Sequence, residues 1–123
     1  MTRILVADDD KDLRTILQIC LEGAGYEVET VGDGAQAIRA HGERPADVLI
    51  TDLFMPEQDG LETVEYFRAR NPGMPILAMS GSKHGLRTDH LTVARYAGAN
   101  AVLRKPFEVG ELLGQLQNLT SGK

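Results

Sequence analysis

Four short apolar runs in this chain each stop on a different polar group: ILVADDD on acids, VLITD on Asp52, ILAMS on Ser80 and AVLRK on Lys105. A carboxylate at the last position of a buried strand has lost most of its solvation, so it serves a core poorly and reactive chemistry well. Taken alone, Asp52 with the following Met55, Pro56, Asp59 and Gly60 reads as an ordinary turn, because Asp, Pro and Gly are turn residues. Taken together, the four endings predict strands whose carboxyl ends meet, at the edge where open α/β sheets place their sites.

The segments between these runs carry the helical period. Leu13, Ile16, Leu17, Cys20, Leu21 and Ala24 fall on one helix face, with Asp10 as its cap and Gly23 and Gly25 as its stop. Tyr26 to Val31 reads as a second strand, followed by a turn at Asp33 and Gly34 and an alanine-rich helix to about His41. Ala46 to Thr51 is the third strand; Asp59 is placed as the cap of a helix bearing Leu61, Val64 and Phe67, which Asn71, Pro72 and Gly73 end. Pro75 to Met79 is the fourth strand. A polar connection from Ser80 to about Thr88 then leads to a fourth helix with a small apolar face, Leu91, Ala94 and Ala97. Asn100 to Arg104 is the fifth strand, and Val109, Leu112, Leu113 and Leu116 mark the last helix, with residues 119–123 expected to fray. Strands alternating with helices imply right-handed crossovers and a parallel sheet covered on both faces. The expected fold is a flavodoxin-like, doubly wound α/β architecture with a five-stranded sheet of order 2-1-3-4-5 and five helices.

At 123 residues, 42% apolar and 25% charged, the chain is expected to form a single domain over 1–123 without an output domain. No run approaches the roughly 18 apolar residues of a membrane span. Met1 is followed at once by a strand, so a cytoplasmic protein without membrane insertion is expected. The net charge of -5 argues against nucleic acid as a direct partner, which needs a clustered basic surface. Cys20 is the only cysteine and lies on a helix stripe, so neither a disulfide nor a thiolate metal cluster can form within the chain.

In the predicted strand order the first and third strands are neighbours, which brings Asp8, Asp9 and Asp52 together. Three carboxylates in close array repel one another and call for a cation. Oxygen donors without His or Cys favour Mg²⁺ or Mn²⁺. Lys105 on the same edge can pair with Asp52 and then with a phosphoryl oxygen, while the Ser80 hydroxyl can donate to another. An aspartate beside a divalent ion and a lysine is equipped to attack phosphorus, since phosphoryl transfer needs chiefly alignment and charge neutralisation. The bland reading of each residue is a cap for an acid, a solvated loop group for Lys105 and a turn hydroxyl for Ser80; it accounts for Asp10 and leaves the joint arrangement unexplained.

With ILVADDD, LITDLFMP and its later DG, the hydroxyl after the fourth strand and KPF, the chain resembles the receiver domains of two-component response regulators over essentially its whole length. That resemblance makes Asp52 the phosphoacceptor, Asp9 a direct metal ligand, Asp8 a ligand through water and the Phe54 backbone carbonyl a further ligand. It makes Ser80 and Lys105 the groups that contact the phosphoryl group, and the Lys105–Pro106 bond cis. It implies a sensor histidine kinase or a histidine phosphotransfer protein as donor. The implied downstream protein target docks on the face of the fourth helix, fifth strand and last helix, with the chain a monomer or a phosphorylation-dependent dimer.

Two departures stand out. The family usually has an aromatic residue three positions before the lysine, and here that position is Val102. The connection from Ser80 to Lys105 is also longer, by about three residues, than in compact members of the family, with the extra length placed within SKHGLRTDH, whose His84 and His90 are read as solvated. Signal transmission is therefore expected through Ser80, this loop and the start of the fourth helix. The competing readings are an aspartate-dependent Mg²⁺ phosphohydrolase, a phosphate-shuttling sink, a nucleotide or flavin binder and a degenerate docking module. The hydrolase usually has a second acid where Phe54 stands, and the nucleotide binder needs a Gly-rich phosphate loop where this chain has acids.

Overall fold

The computed structural model describes residues 1–53, 60–81 and 97–120. Within them the order is β1 (Arg3–Ala7), α1 (Lys11–Gly23), β2 (Glu27–Val31), α2 (Gly34–Glu43), β3 (Val48–Asp52), α3 (Gly60–Arg70), β4 (Ile76–Ser80), β5 (Ala101–Arg104) and α4 (Val109–Thr120). All pairings are parallel and the sheet order is β2-β1-β3-β4-β5, the arrangement the sequence implies. The described residues hold four of the five expected helices; the helix expected around Leu91 and Ala94 lies outside them.

Strands buried on both faces read as unbroken apolar runs, and the side chains sort by parity. Leu5, Ala7, Leu49 and Ile76 face a cluster completed by Ala37 and Ala40 of α2 and by Val64 and Phe67 of α3. Ile4, Val6, Ile50, Leu77 and Met79 face Leu17 and Leu21 of α1 and Leu112 and Leu116 of α4. With both faces closed, the strand ends are where polar side chains can reach solvent.

Several boundaries differ from those expected. Asp52 and Ser80 are not past their strands but are the last residues of β3 and β4, because backbone pairing continues through the polar side chain: Asp52 stands opposite Met79 and Ser80 opposite Arg104. The stripe on α1 is narrower than its apolar pattern, for Leu17 and Leu21 are buried while Ile16 is 51% exposed and Cys20 only half-buried. Residues 119 and 120, expected in a fraying tail, belong to α4; Leu119 packs on the core and the Thr120 hydroxyl donates to the Leu116 carbonyl at 2.9 Å.

Candidate functional site

β1 delivers Asp8 to the switch point between β1 and β3. Its N–H donates to the Val31 carbonyl at 3.1 Å, extending the β1–β2 ladder by one bond. The chain then turns, with the Asp10 N–H donating to Asp8 Oδ1 at 2.8 Å. As expected, Asp10 caps α1, accepting from the N–H groups of Asp12 and Leu13 at 3.0 and 3.2 Å. A carboxylate cap satisfies amide donors that the first helical turn cannot pair and suits the positive end of the helix dipole. Two of the three successive acids are thus fixed, and Asp9 between them is exposed.

β3 brings Asp52 alongside. One carboxylate oxygen each from Asp8, Asp9 and Asp52 lie within 4.8 Å of one another, with Asp8 and Asp52 buried and Asp9 open. The Lys105 ammonium donates to Asp8 Oδ2 at 2.8 Å and to Asp52 Oδ2 at 3.3 Å. The Lys105 N–H continues the β4–β5 pairing, donating to the Ser80 carbonyl at 2.7 Å, and the following bond to Pro106 is cis, as expected. Burial works against the charge on Lys105, yet the hydrogen bond to Asp8 and the charges of Asp52 and Asp8 outweigh it. The ammonium therefore holds its proton above the usual lysine range.

Ser80 is buried at the end of β4, between the strand of Asp52 and the strand that leads to Lys105. The structure thus brings five of the six expected site residues to one edge; Phe54, and with it the carbonyl, falls outside the described residues. So do Ser82, His84, His90 and the loop beyond Gly81. Val102 is described, half-buried against the cluster of Leu5 and Phe67.

Two further residues touch the site: Gly60, whose motif was read only as a turn, and Arg14, which the motif reading passed over. Gly60 opens α3 directly beneath the acceptor: its N–H donates to the Leu53 carbonyl at 3.2 Å, and a Cβ there would lie 2.2 Å from the Asp52 carbonyl oxygen and 2.4 Å from Leu53 Cα. Only a residue without a side chain permits that approach. Arg14 reaches back from α1 to donate from Nη1 to the Asp8 carbonyl at 2.7 Å. An arginine one turn beyond a helix cap, after a strand-end acid, was its only sequence signal.

The donor set suits a hard divalent cation: oxygen ligands only, with two of the three acids buried and repelling each other unless neutralised. The family model of the response regulator receiver domain matches residues 4–117. The chain belongs to that family, the receiver domains of two-component systems. It is 35% identical over 117 residues to the transcriptional regulatory protein PrrA of Mycobacterium tuberculosis; the match takes in 95% of this chain and 49% of PrrA, so the chain spans about half of that relative's length. It is 34% identical over 119 residues to the response regulator receiver protein CpdR of Brucella abortus, covering 97% of each. Among solved structures it is similar to the chemotaxis response regulator CheY4 of Vibrio cholerae, with a TM-score of 0.87, 32% identity and coverage of 97% and 98% of the two chains. Among the described residues no helix is long and apolar enough to cross a membrane.

Proposed function

We propose that this chain is a phosphorylation-controlled switch that takes a phosphoryl group onto Asp52 from a histidine kinase or histidine phosphotransfer protein and alters partner binding in response. The observation that carries this reading is the Lys105 ammonium held between Asp8 and Asp52 at a cluster of three carboxylates. An Asp52 carboxylate oxygen forms the bond to phosphorus as the bond to the donor's imidazole nitrogen breaks. A Mg²⁺ ion at the cluster, or Mn²⁺ in its place, supplies charge neutralisation for the transferring group.

The roles of the acids follow from their surroundings. Both Asp8 oxygens are already held, one by the Asp10 N–H and one by Lys105, which favours contact with the ion through water. Asp9 is exposed and suits direct ligation, and Asp52 ligates and accepts. The Phe54 carbonyl is assigned by family resemblance alone. Lys105 swings its donor hydrogens from Asp52 toward a phosphoryl oxygen, a small movement for an ammonium on a flexible stem. The Ser80 hydroxyl contacts another phosphoryl oxygen and carries the change into the segment after β4.

With acetyl phosphate and Mg²⁺, intact-mass spectrometry should show one added phosphoryl group in wild type and none in Asp52→Asn. Incorporation in wild type that persists in the presence of EDTA, or equal incorporation in both proteins, contradicts the reading.

A further inference from the structure

The turn that presents Asp9 is clamped on both sides by one residue of α1. The Arg14 backbone N–H donates to the Asp10 carbonyl at 3.0 Å, and the Arg14 guanidinium donates to the Asp8 carbonyl at 2.7 Å. Asp9 lies between these two carbonyls. A peptide unit is planar, so fixing the Asp8 carbonyl also fixes the direction of the Asp9 N–H and narrows the directions open to the Asp9 side chain.

The rest of Asp8 is already committed. Its N–H goes to the Val31 carbonyl, and its two carboxylate oxygens go to the Asp10 N–H and to Lys105. The Asp8–Asp9 peptide is the remaining backbone freedom in the turn, and the guanidinium removes it. The guanidinium lies near Gly32, just after β2, where a Cβ would make an ordinary van der Waals contact with Nη1 at 3.5 Å.

We infer that Arg14 is a positioning residue for the metal-binding acids: it holds the Asp8–Asp9 peptide so that Asp9 is aimed at the cation before the cation arrives. This inference rests on the proposed Mg²⁺ site and deepens it. Electrostatics alone requires the opposite sign of effect, since a cationic side chain at a cation site repels the incoming ion. Removing Arg14 therefore separates the two roles: loss of positioning weakens metal binding, whereas loss of repulsion strengthens it.

The test is Mg²⁺ affinity, read from amide chemical shifts in an NMR titration of the full chain, for wild type, Arg14→Met, Arg14→Gln and Arg14→Lys. Positioning predicts about a tenfold weaker affinity in the Met and Gln variants, the lower end of what loss of a group orienting a metal ligand costs. It predicts recovery to within about threefold in the Lys variant, which can still donate to the carbonyl. Phosphorylation by acetyl phosphate at saturating Mg²⁺ should stay within about twofold of wild type in all four proteins, placing the defect in binding rather than transfer. Should Arg14→Met fold poorly, Arg14→Gln carries the same comparison. Affinity in the folded Met or Gln variants equal to or tighter than wild type overturns the inference alone. A wild type that binds no Mg²⁺ overturns the metal reading and this inference with it.

Discussion

Lys105→Met isolates what the ammonium does for the folded chain apart from phosphorylation. The substitution keeps the stem and deletes a charge that pairs with Asp8 at 2.8 Å and with Asp52 at 3.3 Å, where Asp8 is fully buried and Asp52 is 5% exposed. Removing one partner of a buried ion pair costs about 3–5 kcal/mol, because the other charge is left uncompensated. The Lys105 side chain is 21% exposed, so solvent screens part of this; about 2–3 kcal/mol is expected, or a fall in Tm of roughly 8–12 °C for a domain of this size. Urea unfolding in EDTA, followed by circular dichroism, measures it. Saturating Mg²⁺ should narrow the deficit by replacing the missing cation, and Asp52→Asn in the Lys105→Met background should recover at least half of it. The pH dependence has a definite sign. A lysine whose proton is held more tightly in the folded state contributes fully below its ordinary pKa, about 10.4, and loses that contribution as pH rises through the raised value. Wild type and Lys105→Met should therefore converge in strongly alkaline solution. A Lys105→Met protein as stable as wild type at pH 8 in EDTA would refute the view that the ammonium holds the two acids together.

Gly60→Ala places a methyl group 2.2 Å from the Asp52 carbonyl oxygen, and backbone rather than a flexible side chain must give way. A loss of about 2–3 kcal/mol, of the size typical for overpacking, is expected in urea unfolding, together with slower phosphorylation at saturating Mg²⁺; an unchanged midpoint contradicts the close approach. For signal transmission, Val102 is too short to swing between buried and exposed poses, and it packs on the core in this structure. Hydrogen exchange should therefore show beryllofluoride protecting residues 80–95 more than β5, with Ser80→Ala reducing that protection greatly. A largest change in α1, or one that survives Ser80→Ala, rejects the route through Ser80.

The sheet and its reactive edge were legible because both follow from local pattern. A parallel strand covered on two faces must be apolar throughout, so a polar residue at its end is conspicuous, and four such ends define the edge. Strand limits were less legible, since backbone pairing runs on through Asp52 and Ser80 whatever their side chains. The α1 stripe overreached because periodicity counts apolar residues, while α1 turns only its Leu17 and Leu21 line fully onto the sheet and leaves Ile16 half in water. Asp33, read as a turn residue, also caps α2 by accepting from the Gln36 N–H at 2.8 Å, a contact that the short motif permits but does not demand. What the sequence hid were contacts between elements. Arg3 reads as a strand start, yet it is buried and pairs with Glu27 and Glu29 across the β1–β2 boundary. Arg14 and Gly60 act through backbone carbonyls of residues distant from them along the chain or across a turn, and backbone acceptors leave no trace in residue identity.

The central claim is that, of three carboxylates within 4.8 Å of one another, Asp52 alone takes the phosphoryl group. Borohydride reduces an aspartyl phosphate to homoserine, which marks the acceptor permanently. After treatment with acetyl phosphate, Mg²⁺ and then borohydride, peptide mass spectrometry should place homoserine at residue 52 and leave Asp8 and Asp9 unchanged. Homoserine at residue 8 or 9, or none anywhere in a chain that has bound Mg²⁺, would contradict the account.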